Sequence, residues 1–448
     1  MAIRSLRSWF PQSANTWFVL MLLVFFVGLS VQYSFKASQT RDNGQTRSAI
    51  LRWKTHLEAV DSGDDGATDA AYPNPPIMAI LLSPLARLGP LPMALTWFYL
   101  KAAMTLVVIF AVFHLVAESG RAFPAWAKAL TVLLSIRPIV SDLQHGNVNL
   151  FILFLLAVAL FAYQKGRGGL AGLTLGLAIA CKLTPALFIP YFLWKRSWRA
   201  LGGCLAGVVL FLWPGVVPTL VLGAEENHHQ LRQWYQSMVV PYTVEHKVWS
   251  EHNNQSLVGL IARLTTHSPS VSYYDANKQY VPTEYANLWN LNADQAHWLV
   301  LGCEVLFAGL VVWCCRTPTG ARPGWRGCAE FAIVTLGMLL FSERTWKHHC
   351  VTLIFPFAVL CYYLATANLK PIIATFIGGS LAVVALLMTL PSVGVLSEAI
   401  ATRAEVYGVY VMAYLVLLAA LTAVLRQDTS GAVDNANPKE DSAAPLAA

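Results

Sequence analysis

The chain has 448 residues, of which 56% are hydrophobic and 12% charged, with a net charge of +7. Soluble domains carry roughly 25% charged residues, and apolar runs recur from end to end here, so neither a soluble domain nor a soluble domain on one anchor fits. The positive balance does not point to nucleic acid, because its Lys and Arg sit in short loops where they set membrane orientation.

In chain order, Arg4 and Arg7 precede an apolar stretch, a layout shared with signal peptides. No small-x-small cleavage site follows, so a retained first span over about 17–35 is expected. A polar segment follows. It holds Arg41-Asp42-Asn43-Gly44, then SAILRWKTHLEAV, whose apolar spacing predicts an amphipathic helix lying on the membrane. An acidic stretch (Asp61, Asp64, Asp65, Asp69) leads to Tyr72-Pro73-Asn74-Pro75-Pro76. The run 76–88 is too short to cross a core that needs about 20 residues and reads as a re-entrant or interfacial helix. Later spans are expected near 93–117, 123–140, 147–163, 168–181, 184–194, 199–221, 294–315, 328–342, 350–366, 371–390 and 407–425. The chain is thus expected to be an all-α polytopic membrane protein with about twelve transmembrane helices and both termini cytoplasmic. Residues 1–426 form one integral-membrane domain, with outside loops at 36–92 and 222–293, and 427–448 is a disordered cytoplasmic tail. The eight Cys lie mostly in apolar runs without a CxxC and read as free thiols.

The basic turns Lys165-Gly166-Arg167, Lys195 to Arg199 and Arg316 to Arg326 all fall inside under this arrangement. The polar clusters then gather on the other face, so the chemistry is expected to be extracytoplasmic. Ionisable groups at membrane depth are costly and usually functional. Asp42 closely follows the first span and is the candidate general base; the plain alternative is a solvated or capping carboxylate. In Ser342 to His349, two chemistries compete. Metal binding would use His348, His349 and carboxylates, although adjacent helical His point about 100° apart. Anion binding would use Arg344 and Lys347, with His348 and His349 as donors to phosphate oxygens. An interfacial, snorkelling charge cluster is the third reading. Lys182 either meets a phosphate or snorkels. Gln144, Asn147, Asn149, Asn253, Asn254 and Gln255 either bind sugar hydroxyls or hold spans together. There is no P-loop, GxGxxG, GxSxG or HExxH pattern, so nucleotide use is unsupported.

Together these residues resemble a family. QHGNVNLFILFLL followed by GLTLGLAIACKLTPALFIPYFLWKRSWRAL is similar to the Q-G-Q/N-x-N, apolar span, K-x-T-P and basic turn of glycosyltransferase family 87, the polyprenol-phosphate-mannose-dependent mannosyltransferases. Asn253 to Leu257 resembles their N-Q-S-L element, Ser342 to His349 their S-P-x-S-W-x-H-H element, and Tyr72 to Pro76 their Y-P-P element with Asn74 inserted. The similarity runs from about Asp42 to Pro356. It implies a C-type glycosyltransferase fold in a bacterial inner membrane and an inverting transfer of a hexose, mannose by the family, from a polyprenyl-phosphate sugar to a glycolipid or glycan acceptor. Asp42 matches the family's base by position, with Asp61 or Asp69 as substitutes. Lys182, Arg344, Lys347, His348 and His349 would take the donor phosphate. Tyr72, Gln144, Asn147, Asn149, Asn253, Asn254, Gln255 and Glu343 would bind sugar or acceptor. No cofactor or metal is required, since protein cations can neutralise the leaving group. The partners are the donor, the acceptor and membrane lipids. A lipid-linked glycan ligase or polymerase stays open, as does a transporter or flippase, although the internal repeats expected of the latter are not visible.

Overall fold

In a computed structural model, residues 13–39, 48–62, 72–275, 279–316, 324–391 and 396–436 are described. Asp42 and Asp69 lie outside them. The helices are α1 (Ala14–Gln39), α2 (Ala49–Arg52), α3 (Lys54–Ser62), α4 (Pro76–Ala86), α5 (Pro90–Val116), α6 (Ala125–His145), α7 (Asn149–Gln164), α8 (Gly168–Cys181), α9 (Phe188–Trp194), α10 (Trp198–Phe211), α11 (Val216–Leu222), α12 (Ala224–Trp234), α13 (Val240–Thr243) and α14 (Leu257–Thr265). A hairpin of β1 (Pro269–Tyr274) and β2 (Tyr280–Tyr285) follows. Then come α15 (Ala293–Cys314), α16 (Trp325–Leu340), α17 (Ile354–Thr366), α18 (Pro371–Thr389), α19 (Glu398–Val406) and α20 (Val409–Ala436).

Among the described residues, seven helical stretches are long and apolar enough to cross a membrane: Ala14–Ser38, Pro90–Val116, Trp198–Leu222, Ala293–Cys314, Lys347–Thr366, Pro371–Thr389 and Val409–Gln427. The other five expected spans are α6, α16 and the shorter apolar helices α7, α8 and Thr184–Trp194. At 1.5 Å per residue, the 14 residues of α8 reach about 21 Å, short of a core about 30 Å thick. α4 is likewise an 11-residue helix, opened by Pro76 at its first turn. The last helix runs past Gln427, where composition places the start of a tail; 437–448 lie outside the described residues.

The stretch Lys347–Thr366 is the middle of the bundle: 78% of its apolar window is buried, against 11% for α15 and 22% for α1. Phe355, Phe357, Val359 and Leu360 leave it no polar face, as expected of a helix surrounded by others. α6, α16 and α20 pack around it, while α1, α15 and α18 turn apolar surface outward. Among the described residues, the hairpin is the one pair of strands that departs from an all-helical reading. Its alternating Val, Tyr and Thr suit a pleated strand, and Tyr274 pairs with Tyr280 across the turn.

Two helices approach with unusual closeness. A β-carbon on Gly172 of α8 would lie 2.0 Å from the Ala200 carbonyl oxygen of α10. One on Gly203 would lie 2.2 Å from the Gly169 oxygen, and Gly176 faces Gly207 in the same way. Small residues four apart let helix backbones touch where lipid gives no hydrophobic drive between helices. At the far end of α9, the buried pair Lys195–Glu330 (2.9 Å) and a Tyr191 hydroxyl donating to Glu330 (2.8 Å) tie this region to α16.

Candidate functional site

The site is built where α6 ends, α7 begins and α8 ends. Gly146 stops α6 in the left-handed conformation (φ 66°), the usual helix terminator because it has no β-carbon to clash. A β-carbon there would also lie 2.6 Å from Ser48 Oγ, so this glycine lets the segment leading into α2 rest on the end of α6. Trp97 Nε1 donates to its carbonyl at 3.0 Å.

The turn presents a connected polar chain. Asp142, fully buried on the last turn of α6, pairs with fully buried Lys101 of α5: Nζ lies 3.1 Å from Oδ1 and 2.6 Å from the Asp142 carbonyl oxygen. Asn149 Nδ2 donates to Asp142 Oδ2 at 2.8 Å. Asn149 Oδ1 accepts in turn from Lys182 Nζ at 2.6 Å. The Lys182 ammonium is thus aimed by a neutral amide and makes no ion pair among the described residues, although Glu343 and Asp142 lie within electrostatic reach. Desolvated charge without an opposite partner attracts an anionic ligand.

Lys182 and Asn149 line a narrow cleft with Thr184, Ser342, Thr345 and His349, backed by Ile152, Met338 and Leu339. His348 stands just behind. Asn147 Nδ2 lies 3.2 Å from its Nε2, its ring stacks on His145 (5.0 Å, 15°), and it meets His349 edge-on (4.8 Å, 89°). Four sequence clusters therefore converge: Asn147 with Asn149, Lys182, Ser342 with Thr345, and the histidine pair. Gln144, half-buried on the same turn of α6, makes no side-chain hydrogen bond among the described residues.

The remaining candidates stand elsewhere. Asn254 is fully buried; its Nδ2 donates to the Trp249 and Glu343 oxygens (2.7 and 2.9 Å), and its Oδ1 accepts from the Ser256 and Thr345 amides (3.2 and 2.9 Å). Gln255 Nε2 donates to the His252 and Glu405 oxygens (2.5 and 2.8 Å). Both amides are taken up inside the chain: that of Asn254 holds the Ser342–Thr345 strap, while that of Gln255 ties its own turn to Glu405, and only the Gln255 backbone N–H donates to the strap, at the Thr345 carbonyl (2.6 Å). Asn253 accepts from Trp249 Nε1 at 3.0 Å. Arg344 donates to the Tyr242 hydroxyl (2.7 Å) and lies 4.8 Å over the Trp249 ring. Lys347 pairs with Glu405 and donates to the Pro391 carbonyl (3.3 Å), away from Lys182's cleft. Tyr72 stacks on His56 (4.4 Å) in a neighbouring cleft with Asn74, Gln230 and Trp234, within electrostatic reach of Cys181. Asp61 takes Arg87 Nε and Nη2 on its carboxylate (2.8–3.0 Å), which holds it below the usual carboxylate range. All eight cysteines are free thiols.

Sequence reasoning missed Lys101, Asp142, Arg263 and Glu405. Lys101 had a readable signal, being the only Lys, Arg, Asp or Glu in the 27 residues of α5. Arg263, fully buried, donates to the oxygens of Val406 (2.7 Å), Ser250 (2.8 Å) and Glu251 (2.7 Å), which fastens the segment before Asn254 to the end of α19. Glu405 sits in no motif. Glu251 accepts from Ser272 at 2.7 Å and from Tyr280; burial raises its affinity for a proton, but these donors and His252 outweigh that and keep it below its ordinary value.

A curated protein of Mycobacterium tuberculosis (strain ATCC 25618 / H37Rv), named polyprenol-phosphate-mannose-dependent alpha-(1-2)-phosphatidylinositol mannoside mannosyltransferase, is 26% identical over 299 residues. That match covers 62% of this chain and 58% of the relative. The protein of the same name from Mycolicibacterium smegmatis is 27% identical over 304 residues, covering 64% and 60%. The chain thus spans somewhat under two thirds of either relative. Among solved structures, ArnT from Cupriavidus metallidurans in the apo state aligns with a TM-score of 0.42 at 16% identity, covering 93% of this chain and 79% of that one. The same protein bound to undecaprenyl phosphate aligns with a TM-score of 0.39 at 16% identity, covering 97% and 82%. The sequence model of glycosyltransferase family 87 matches residues 72–342, a stretch that holds Tyr72, Asn147, Asn149, Lys182, Asn254 and Ser342. That is more than half of the chain, and the chain belongs to glycosyltransferase family 87.

Proposed function

We propose that the protein is an inverting glycosyltransferase of C-type fold that moves a hexose, mannose by its relatives' names, from a polyprenyl-phosphate sugar to a hydroxyl of a glycolipid or glycan. The observation that carries this reading is Lys182, aimed by Asn149 into a cleft shared with His349, Ser342 and Thr345 at the end of apolar helices. A lipid monophosphate needs such a place: chain in the bilayer, head against fixed donors. In the reaction, the acceptor oxygen attacks the anomeric carbon as its proton passes to the Asp42 carboxylate. The bond from that carbon to the phosphate oxygen breaks, and polyprenyl phosphate leaves with the electron pair. Lys182 and His349 meet the charge that grows on those oxygens, a preorganised electrostatic role. Asn254 acts at one remove, by holding the strap, and Gln255 by tying the turn beside it to Glu405.

The test is release of polyprenyl phosphate from a panel of polyprenyl-phosphate sugars by the purified chain. Losing one charged hydrogen bond costs about 1.5–3 kcal/mol, so Lys182→Ala and His349→Ala should each lower donor use roughly tenfold or more. Wild-type rates in both variants would remove the phosphate from this cleft. Loss of wild-type activity to a chelator, restored by zinc or magnesium, would make the histidines a metal site instead.

We further propose that the cleft faces outward from a bacterial inner membrane. In a cysteine-free background, Ser62→Cys should react with an impermeant maleimide in intact cells, and Lys165→Cys only after permeabilisation. Both positions are exposed. The opposite pattern would invert the topology and the face of the chemistry.

A further inference from the structure

A second and much larger cavity, a groove, lies between α14, the segment 242–248 and the first turns of α15. Its floor is apolar, with Val258, Ile261, Val300 and Phe341. It shares one strap with the cleft just described: Phe341 and Glu343 line the groove, while Ser342 and Thr345 line the cleft of Lys182.

Three observations bear on what it holds. First, Glu304 lies eleven residues into the apolar span Ala293–Cys314, about 16 Å along it at 1.5 Å per residue. It makes no ion pair or hydrogen bond among the described residues and lines the groove with His297, two helical turns earlier on the same face. A carboxylate at such depth is costly and marks a function by default. Second, His246 adopts a φ of 51°, a left-handed conformation uncommon outside glycine, and such strain gathers at ligand sites. Its ring lies 4.0 Å from that of His297, and its Nδ1 is buried without a hydrogen-bond partner. Third, the groove carries three carboxylates (Glu245, Glu304, Glu343) against one ammonium, Lys247, which already pairs with Glu245 at 2.7 Å. That balance repels a phosphate. Carboxylates and neutral imidazoles instead accept hydrogen bonds from hydroxyl groups.

We propose that this groove is the acceptor site and that it takes an uncharged, hydroxyl-rich headgroup on an apolar chain, with hydroxyls at Glu304, His297 and His246 and the chain along the apolar floor. The bilayer-facing side of α15, where Trp298, Leu299, Val305 and Leu306 are exposed, gives such a lipid its way in. The proposal rests on the glycosyl-transfer reading of the neighbouring cleft, through the strap they share.

The probe is radiolabelled n-octyl mannoside, with the purified full chain in phosphatidylcholine nanodiscs. Glu304→Gln keeps size and removes the charge; Val300→Trp fills the floor. Each should weaken equilibrium binding tenfold or more. In turnover with a polyprenyl-phosphate mannose, each should raise the acceptor KM tenfold or more and leave the donor KM within twofold. Glu304→Gln removes an unpaired charge from an apolar span, so it should fold at least as well as wild type even if Val300→Trp does not. Unchanged probe binding in Glu304→Gln overturns the proposal. So does a raised donor KM with an unchanged acceptor KM, which would place the donor's chain in the groove. If wild type binds the probe in a Glu304-dependent way but releases polyprenyl phosphate from no sugar, the groove stands and the transferase reading falls.

Discussion

Asp42→Asn is expected to abolish transfer while leaving donor binding within twofold of wild type. The substitution keeps the side chain's shape and removes its capacity to take a proton, and general-base loss typically costs about 10²–10⁴-fold in rate. Asp42 itself lies outside the described residues, but its chain returns at Ser48, which rests on Gly146 at the mouth of the polar chain. Arg52, four residues on, lies within electrostatic reach of His348. The described rival, Asp61, is poorly suited to the task. Arg87 occupies both its oxygens and holds its affinity for protons down, and a base so depressed draws a hydroxyl proton weakly. Asp61→Asn should therefore stay within a few-fold of wild type. Single-turnover assays on the two variants decide the matter: normal turnover in Asp42→Asn moves the base elsewhere.

Asp142→Ala should be among the most destabilising single changes in the chain. It strands Lys101, fully buried in α5, without its carboxylate, and takes from Asn149 the acceptor that orients it. Breaking a buried pair by removing one partner costs about 3–5 kcal/mol, whereas replacing both partners with apolar groups is often neutral. Lys101→Met combined with Asp142→Leu should accordingly recover most of the thermal stability in detergent. Donor use should not recover with it, because Asn149 would no longer be braced against Lys182. Equal stability in Asp142→Ala and wild type would mean the pair contributes nothing to the fold. Recovery of donor use in the double variant would mean the brace has no functional role.

Much of the architecture is legible in the sequence because hydropathy registers both length and burial: α1, α5, α15 and α18 fall where apolar runs predict them. The hairpin β1–β2 is not, since its strands lie in a loop read only for polarity and its tyrosines carry no helix-versus-strand signal alone. For the site, the apolar surroundings of Lys182 and the Asn-rich turn before α7 give enough contrast to stand out. The split within Ser342 to His349 is illegible. His349 faces the cleft while Lys347 faces Glu405, because the tight 3-10 turn over Lys347–Leu353 sends neighbouring side chains in different directions, and Arg344, in the irregular segment before that turn, faces Tyr242. Asn254 and Gln255 show the same limit: an amide that binds a sugar and one that ties a loop have the same letter, and only the surrounding carbonyls tell them apart.

The glycine seam between α8 and α10 has a consequence for how this protein can vary. Lys182 is the residue that follows α8, so its depth in the bilayer is set by where α8 stops against α10. With Gly172 and Gly203 each facing a carbonyl oxygen at a distance no side chain tolerates, the two helices have one vertical alignment open to them. Substitutions on their outer faces can drift freely as lipid composition changes. The seam cannot, and it fixes the height of the lysine relative to whatever membrane the chain inhabits. An enzyme retuned for a longer or shorter lipid would be expected to change its rim, not its ruler.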